Sequence, residues 1–229
     1  DEIIVLAVRG FVNPGDEVVI AKPSFLIYEL ASLIEGAVVR AVPLKNFRYD
    51  LDGMKAAIGP RTKIIFIGNP DNPAGTYISR NDLTKFLDGI RGDILVFIDE
   101  AYFEYVQAKD YPNGIDLLRS YKNVIVTRTF SKMYGLAGLR VGYGVGVPEV
   151  IDVLNRLREP FNVNSLAQTA ALACLKDQKY YRGIARSVEK ERKFLYSNFQ
   201  KLGVHFEKSF TNFILLKINS DSTTVAKAL

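Results

Sequence analysis

The sequence contains one cysteine, Cys174, and one histidine, His205. A lone thiol cannot close an internal disulfide or build a cysteine-rich zinc site. A lone imidazole cannot furnish a multi-histidine metal centre. No apolar run approaches the ~18 residues of a membrane-spanning helix. Internal repeats and low-complexity tracts are missing as well. What is present is a globular composition, 48% hydrophobic and 24% charged. A compact chain of this size buries roughly 70–75% of its unfolded surface and needs no covalent staples. The 229 residues suit one large domain, or one domain and part of a second.

The formal charge is +5, and it is unevenly placed. Between Lys176 and Lys201, the basic residues Lys176, Lys179, Arg182, Arg186, Lys190, Arg192, Lys193 and Lys201 outnumber Asp177, Glu189 and Glu191 by the whole of that excess. The segment reads as the solvated face of a long helix. A nucleic-acid strip is the sharper reading, with Tyr180 and Tyr181 close by, but no binding module surrounds it. The chain opens at Asp1 without a methionine, runs into a helix, and stops within another from Thr223 to Leu229, so both ends read as cut from something longer.

Short apolar runs alternate with longer amphipathic stretches. Val18–Ala21, Val38–Val42, Ile64–Ile67, Ile94–Ile98, Val124–Val126 and Val141–Val147 are the expected strands, mostly continuous in Val and Ile as in strands buried on both faces. Phe25–Glu35, Leu51–Ile58, Arg80–Gly89 and Asp116–Tyr121 are the expected intervening helices. This alternation predicts an α/β fold, a mostly parallel sheet sandwiched by helices. Beyond it, Pro148 starts a helix that Pro160 ends. Ser165 is the expected cap of a helix running from Leu166 to Lys176, a longer helix spans Tyr180–Leu202, and Phe213–Ile218 reads as a strand. The division expected is a large domain, 1–182, then a connecting helix and the start of a smaller C-terminal α/β domain, 183–229, packed closely together.

Ligands of open parallel sheets bind beyond the carboxyl ends of the strands. Pro23-Ser24-Phe25 comes after the first run and Asn69-Pro70-Asp71-Asn72-Pro73-Ala74-Gly75 after the third. Asp99-Glu100-Ala101-Tyr102 comes after the fourth, and Thr127-Arg128-Thr129-Phe130-Ser131-Lys132 after the fifth. Asp99 is the most informative, because a carboxylate directly after five buried apolar residues is desolvated and requires a cationic partner. Each feature also has a plain structural reading. Asp99 can cap a helix, Asn72-Pro73 and Gly75 can be a turn, and Lys132 can be a surface lysine. Thr129 and Ser131 can be end-of-strand hydroxyls, and Phe25 and Tyr102 core aromatics.

Taken in order, Asn72-Pro73-Ala74-Gly75, Asp99-Glu100-Ala101-Tyr102, Thr129-Phe130-Ser131-Lys132 and Gly138-Leu139-Arg140-Val141-Gly142 resemble the fold-type-I aminotransferases, which use pyridoxal 5'-phosphate. Within that group, Asp99–Tyr105, Arg128–Lys132, Gly135–Arg140 and Glu159–Ser165 are most similar to the histidinol-phosphate aminotransferases of histidine biosynthesis. The resemblance covers nearly the whole chain.

That resemblance implies a role for each residue. Lys132 would form the Schiff base and shuttle the α-proton. Asp99 would keep the pyridine nitrogen protonated and so supply its own missing partner. Asn72 and Tyr102 would bond the phenolic oxygen. Phe25 would stack on the ring, with Tyr28 as the alternative stacker. Thr129, Ser131 and Arg140 would form the phosphate cup, joined by the backbone amide of Asp1 at a helix start. The catalytic set is thus Lys132, Asp99 and Tyr102. The implied reaction exchanges an amino group between histidinol phosphate and 2-oxoglutarate, with glutamate as the biosynthetic donor. The implied assembly is a cytoplasmic homodimer, with Phe161–Ser165 as a candidate contact, binding neither nucleic acid nor membrane. Threonine-phosphate decarboxylation, aromatic transamination and a non-catalytic regulatory module are alternatives on the same fold. His205 and Cys174 read as structural. The family's substrate-binding basic residues and its N-terminal tyrosine lie in segments that this sequence does not include, so little or no activity is expected of these 229 residues alone.

Overall fold

The computed structural model describes residues 1–228. Its elements run α1 (Glu2–Phe11), β1 (Glu17–Lys22), α2 (Leu26–Ile34), β2 (Val38–Pro43), α3 (Leu51–Ala56), β3 (Thr62–Gly68), α4 (Arg80–Asp88) and β4 (Leu95–Asp99). The chain continues through α5 (Gly114–Leu117), β5 (Val124–Thr129), β6 (Gly142–Gly146), α6 (Pro148–Leu157), α7 (Ser165–Lys176), α8 (Gln178–Lys201), β7 (His205–Phe206), β8 (Leu216–Lys217) and α9 (Ser222–Ala228).

Six strands form one sheet in the order β2-β1-β3-β4-β5-β6, all parallel except β6, which runs antiparallel to β5. Alternation along the central strands sends side chains to two separate cores. Val18, Ile20, Ile64, Phe66, Phe97 and Ile125 pack with Ile4, Val8 and Leu154, under α1 and α6. Val19, Ile65, Ile67, Val96, Ile98 and Val126 pack with Met54, Leu83 and Phe86, under α3 and α4. The continuous apolar runs are therefore a consequence of helices covering both faces. Each fully buried Ile or Phe contributes on the order of 1.5–3 kcal/mol. β2 departs from the expectation of burial: it is mostly exposed, because it is the sheet's edge.

Several element boundaries move for local reasons. Asn113 caps α5 by accepting from Ile115 N, so this helix begins before the expected Asp116 and ends at Leu117. Asn164, not Ser165, caps α7, its Oδ1 accepting from Ala167 N at 2.8 Å. α6 stops at Leu157, ahead of Pro160. The strand expected over Phe213–Ile218 shrinks to Leu216–Lys217, paired with His205–Phe206. Hydroxyls take over upstream, where Thr211 N donates to Ser209 Oγ and Phe213 N to Thr211 Oγ1. The C-terminal helix is present from Ser222, and its expected end at Leu229 lies outside the described residues. α8 runs unbroken through positions 182 and 183. Most of its basic residues are exposed, but Arg192 is 8% exposed and breaks the solvated-face reading. Cys174 is buried as expected, and His205 is exposed.

Candidate active site

The strand order changes direction between β1 and β3, which opens a crevice beyond the carboxyl ends of the strands. A cavity of about 70 Å³ lies there, lined by Phe25, Tyr28, Gly68, Pro70, Asn72, Asp99, Ala101, Tyr102 and Lys132. Each lining segment leaves a different strand. Phe25 and Tyr28 come after β1, Gly68 ends β3 with Pro70 and Asn72 following, Asp99 ends β4 with Ala101 and Tyr102 following, and Lys132 comes after β5. Five residues singled out from sequence, Phe25, Asn72, Asp99, Tyr102 and Lys132, thus share one cavity although they span more than a hundred positions.

Asp99 ends β4, flanked by Gly68 on β3 and Thr127 on β5. Its carboxylate accepts from the Tyr28 hydroxyl (2.9 Å), the Thr127 hydroxyl (3.3 Å) and Ala101 N (3.2 Å). Among the described residues no side-chain cation pairs with it. Burial raises its pKa above the ordinary carboxylate range, and the Tyr28 bond works against that rise. The expected cationic partner is therefore not a protein side chain. A carboxylate that faces a cavity in this condition suits a cationic ring.

Tyr102 is buried, its phenol pushed up to about 12 by desolvation, and its oxygen accepts from Asn72 Nδ2 at 3.4 Å. Lys132 is exposed, with Nζ 5.6 Å from the centroid of the Tyr102 ring. Phe25 stands at the N-cap of α2 with its ring in the cavity wall. Tyr28, the alternative stacker, has other contacts. Its ring is already stacked on Phe66 (4.7 Å, 5°), which leaves the hydroxyl to serve Asp99.

The expected phosphate cup lies outside this cavity lining. Thr129 Oγ1 accepts from Ser131 N at 3.0 Å, closing a turn just before Lys132. Arg140 adopts φ +54 and donates to Ala137 O and to both oxygens of Asp1 (3.1 and 3.2 Å). Asp1 also caps α1 by accepting from Glu2 N. The structure therefore brings Arg140 to the N-terminus of α1, the other expected phosphate-binding group, but the guanidinium is engaged there by the Asp1 carboxylate, a contact that the sequence did not suggest.

Sequence reasoning missed several supporting groups. Asp71 is 1% exposed and accepts from Tyr49 OH (3.2 Å) and Ala74 N (3.1 Å), and burial lifts its pKa to about 6. It shapes the turn that carries Asn72. Glu100, fully buried, accepts twice from Arg128 (2.9 and 2.7 Å) and once from Gly114 N (2.7 Å). Arg128 lies over the Phe103 ring, 3.4 Å from its centroid. The adjacent acids Asp99 and Glu100 were a usable signal: neighbours on a strand end point to opposite faces, so the second needs a partner of its own.

The family described as "Aminotransferase class I and II" matches residues 1–229. The chain belongs to that family. Over its full length this class I and II chain is 50% identical to a histidinol-phosphate aminotransferase of Moorella thermoacetica, covering 60% of that protein. It is 41% identical to one from Caldicellulosiruptor saccharolyticus, covering 64%. The chain thus spans about three fifths of the length of these relatives. A solved histidinol-phosphate aminotransferase from Sinorhizobium meliloti, in complex with pyridoxal-5'-phosphate, superposes with a TM-score of 0.91 at 29% identity, over 98% of this chain and 61% of that one. The mostly parallel sheet with flanking helices is the fold of these aminotransferases. Among the described residues no helix is long and apolar enough to cross a membrane.

Proposed function

We propose that the protein containing this chain is a pyridoxal-phosphate-dependent aminotransferase acting on histidinol phosphate and 2-oxoglutarate in histidine biosynthesis. One observation carries the reading: a desolvated, half-buried carboxylate without a side-chain cation, Asp99, and an amine, Lys132, line the same cavity. The similarity to relatives named histidinol-phosphate aminotransferase supports the substrate. On this reading residues 1–182 form the cofactor-binding unit, residues 183–229 begin the smaller unit, and the protein works as a homodimer.

When bound, pyridoxal phosphate supplies the electron sink that lets an amino group leave one carbon and join another. Asp99 would hold the ring nitrogen protonated, and Tyr28 and Thr127 fix the orientation of its carboxylate. Asn72 and Tyr102 would bond the ring's phenolic oxygen, and Phe25 would cover the ring face. Thr129, Ser131, Arg140 and the start of α1 would take the phosphate. A planar guanidinium suits that anion, and it would have to exchange the Asp1 carboxylate for it. Lys132 would anchor the cofactor and move the proton at the substrate's α-carbon.

The test uses the purified full-length protein. Borohydride reduction should fix the cofactor mass to the peptide containing Lys132, and Lys132→Ala should abolish that attachment. Rates with histidinol phosphate, phenylalanine and threonine phosphate then assign the substrate. Turnover of the threonine compound alone, with release of carbon dioxide, overturns the proposed reaction.

A further inference from the structure

We propose that residues 209–213 form a brace that positions Asn72 and Tyr102, and that Tyr196 and Arg192 of α8 hold the brace in place. The inference deepens the cofactor reading above and rests on it.

One side of the segment is fastened to α8. The Tyr196 hydroxyl accepts from Ser209 N at 2.7 Å and donates to Ser209 O at 3.2 Å. Arg192 Nη1 donates to Thr211 O at 2.6 Å. The Ser209 and Thr211 hydroxyls lie 2.8 Å apart, and both residues are buried. A buried guanidinium on an otherwise solvated basic face is costly, and among the described residues no carboxylate pairs with Arg192. Its hydrogen bond goes instead to the brace.

The other side meets the site at two places. Phe210 N donates to Gly75 O at 2.7 Å, and the Phe210 ring meets Tyr77 edge-on at 4.5 Å. Gly75 belongs to the turn that carries Asn72. Its φ is +74, and a Cβ placed there would lie 2.5 Å from Ser209 Oγ and 3.2 Å from Ser209 Cα. The turn and the brace therefore approach so closely that no side chain fits between them. Farther along, the Phe213 ring meets Tyr102 edge-on at 5.3 Å. The brace thus leans on the two elements that would bond the cofactor's phenolic oxygen. A segment pinned by buried hydrogen bonds on one side transmits that rigidity to whatever packs on the other.

The experiment compares Tyr196→Phe and Arg192→Lys with wild type in the full-length protein. Both changes keep most of the side-chain volume, so the fold should persist, and exchange in α4 serves as the control. Hydrogen exchange without cofactor should become at least about ten-fold faster in 207–213 and also in 69–78, as expected when one buried hydrogen bond (Arg192→Lys) or two (Tyr196→Phe) are lost. α4 should be unchanged, and the dissociation constant of pyridoxal phosphate should rise by about the same factor. Faster exchange confined to 207–213, or no change in either segment, overturns the proposal. Failure of the wild type to bind pyridoxal phosphate would sink the cofactor reading alone, because the exchange comparison does not need the cofactor.

Discussion

Asp99→Asn separates two effects that the carboxylate combines. Without cofactor, Asp99 is a desolvated acid with three hydrogen bonds and no side-chain cation. Asparagine keeps the shape. Its oxygen can accept from Thr127 and Ala101, and its amide can donate to the Tyr28 oxygen. Exchanging a desolvated, half-buried charge for a paired amide should therefore leave the cofactor-free protein within about 1 kcal/mol of wild type, or more stable. With cofactor the sign reverses. Removing one partner of a buried charge pair typically costs about 3–5 kcal/mol. The ring nitrogen can shed its proton instead, so the lower end is expected, a loss of about a hundred-fold in affinity. Thermal unfolding with and without pyridoxal phosphate, together with a cofactor titration, reads both effects. The pH dependence adds a third reading. Burial raises the folded-state pKa of Asp99 above its unfolded value. Its contribution to stability is then full below the ordinary carboxylate range and fades as pH rises through the raised value. The variant should lack that fade. An affinity within three-fold of wild type would refute the assignment of Asp99 as the partner of the ring, and so would a large loss of stability without cofactor.

The remaining predictions concern the groups around this carboxylate. Asp71, with its pKa moved from 3.8 to about 6, should destabilise the folded protein as pH rises through that window, by roughly 3 kcal/mol from the difference between the two values. Asp71→Asn should flatten that part of a plot of urea midpoint against pH, and an unaltered slope counts against it. Glu100→Gln leaves the Arg128 cation without its carboxylate and should cost about 3–5 kcal/mol in urea unfolding; a cost below about 1 kcal/mol would mean that the Arg128 bond to Asn113 Oδ1 (2.6 Å) suffices. Arg140→Ala should scarcely alter stability, because its pair with Asp1 is exposed. It should instead shrink the preference for pyridoxal phosphate over pyridoxal by about ten-fold, the scale of one charge-assisted contact, and an unchanged preference would remove Arg140 from the phosphate site.

Much of the site was legible because the signals are local. A strand buried on both faces ends abruptly, and the residues at its exit must be polar to leave the sheet. Asp99, Asn72, Thr129 and Lys132 all stand at such exits. Pairings between distant positions could not be read in this way. Tyr28 lies 71 residues from Asp99, and its hydroxyl could be assigned only once its ring was seen on Phe66. Arg192 has the helical spacing of a surface cation, and only the tertiary structure buries it and sets its guanidinium on Thr211 O. The missed cap at Asn164 is a smaller case of the same kind: Asn164 and Ser165 are both good caps, and backbone geometry chose between them.

The order of residues along the chain was enough to establish an α/β class, the strands of the main sheet and their exits, and the chemical types gathered at those exits, because periodicity and turn chemistry act over a few neighbouring positions. The tertiary structure decided which exits face one another. The reversal of strand order between β1 and β3 opens the crevice, and the covering of the sheet by helices desolvates Asp99 while Lys132 stays exposed. Proximity and dielectric environment are properties of the packed chain, and no short stretch of sequence contains either.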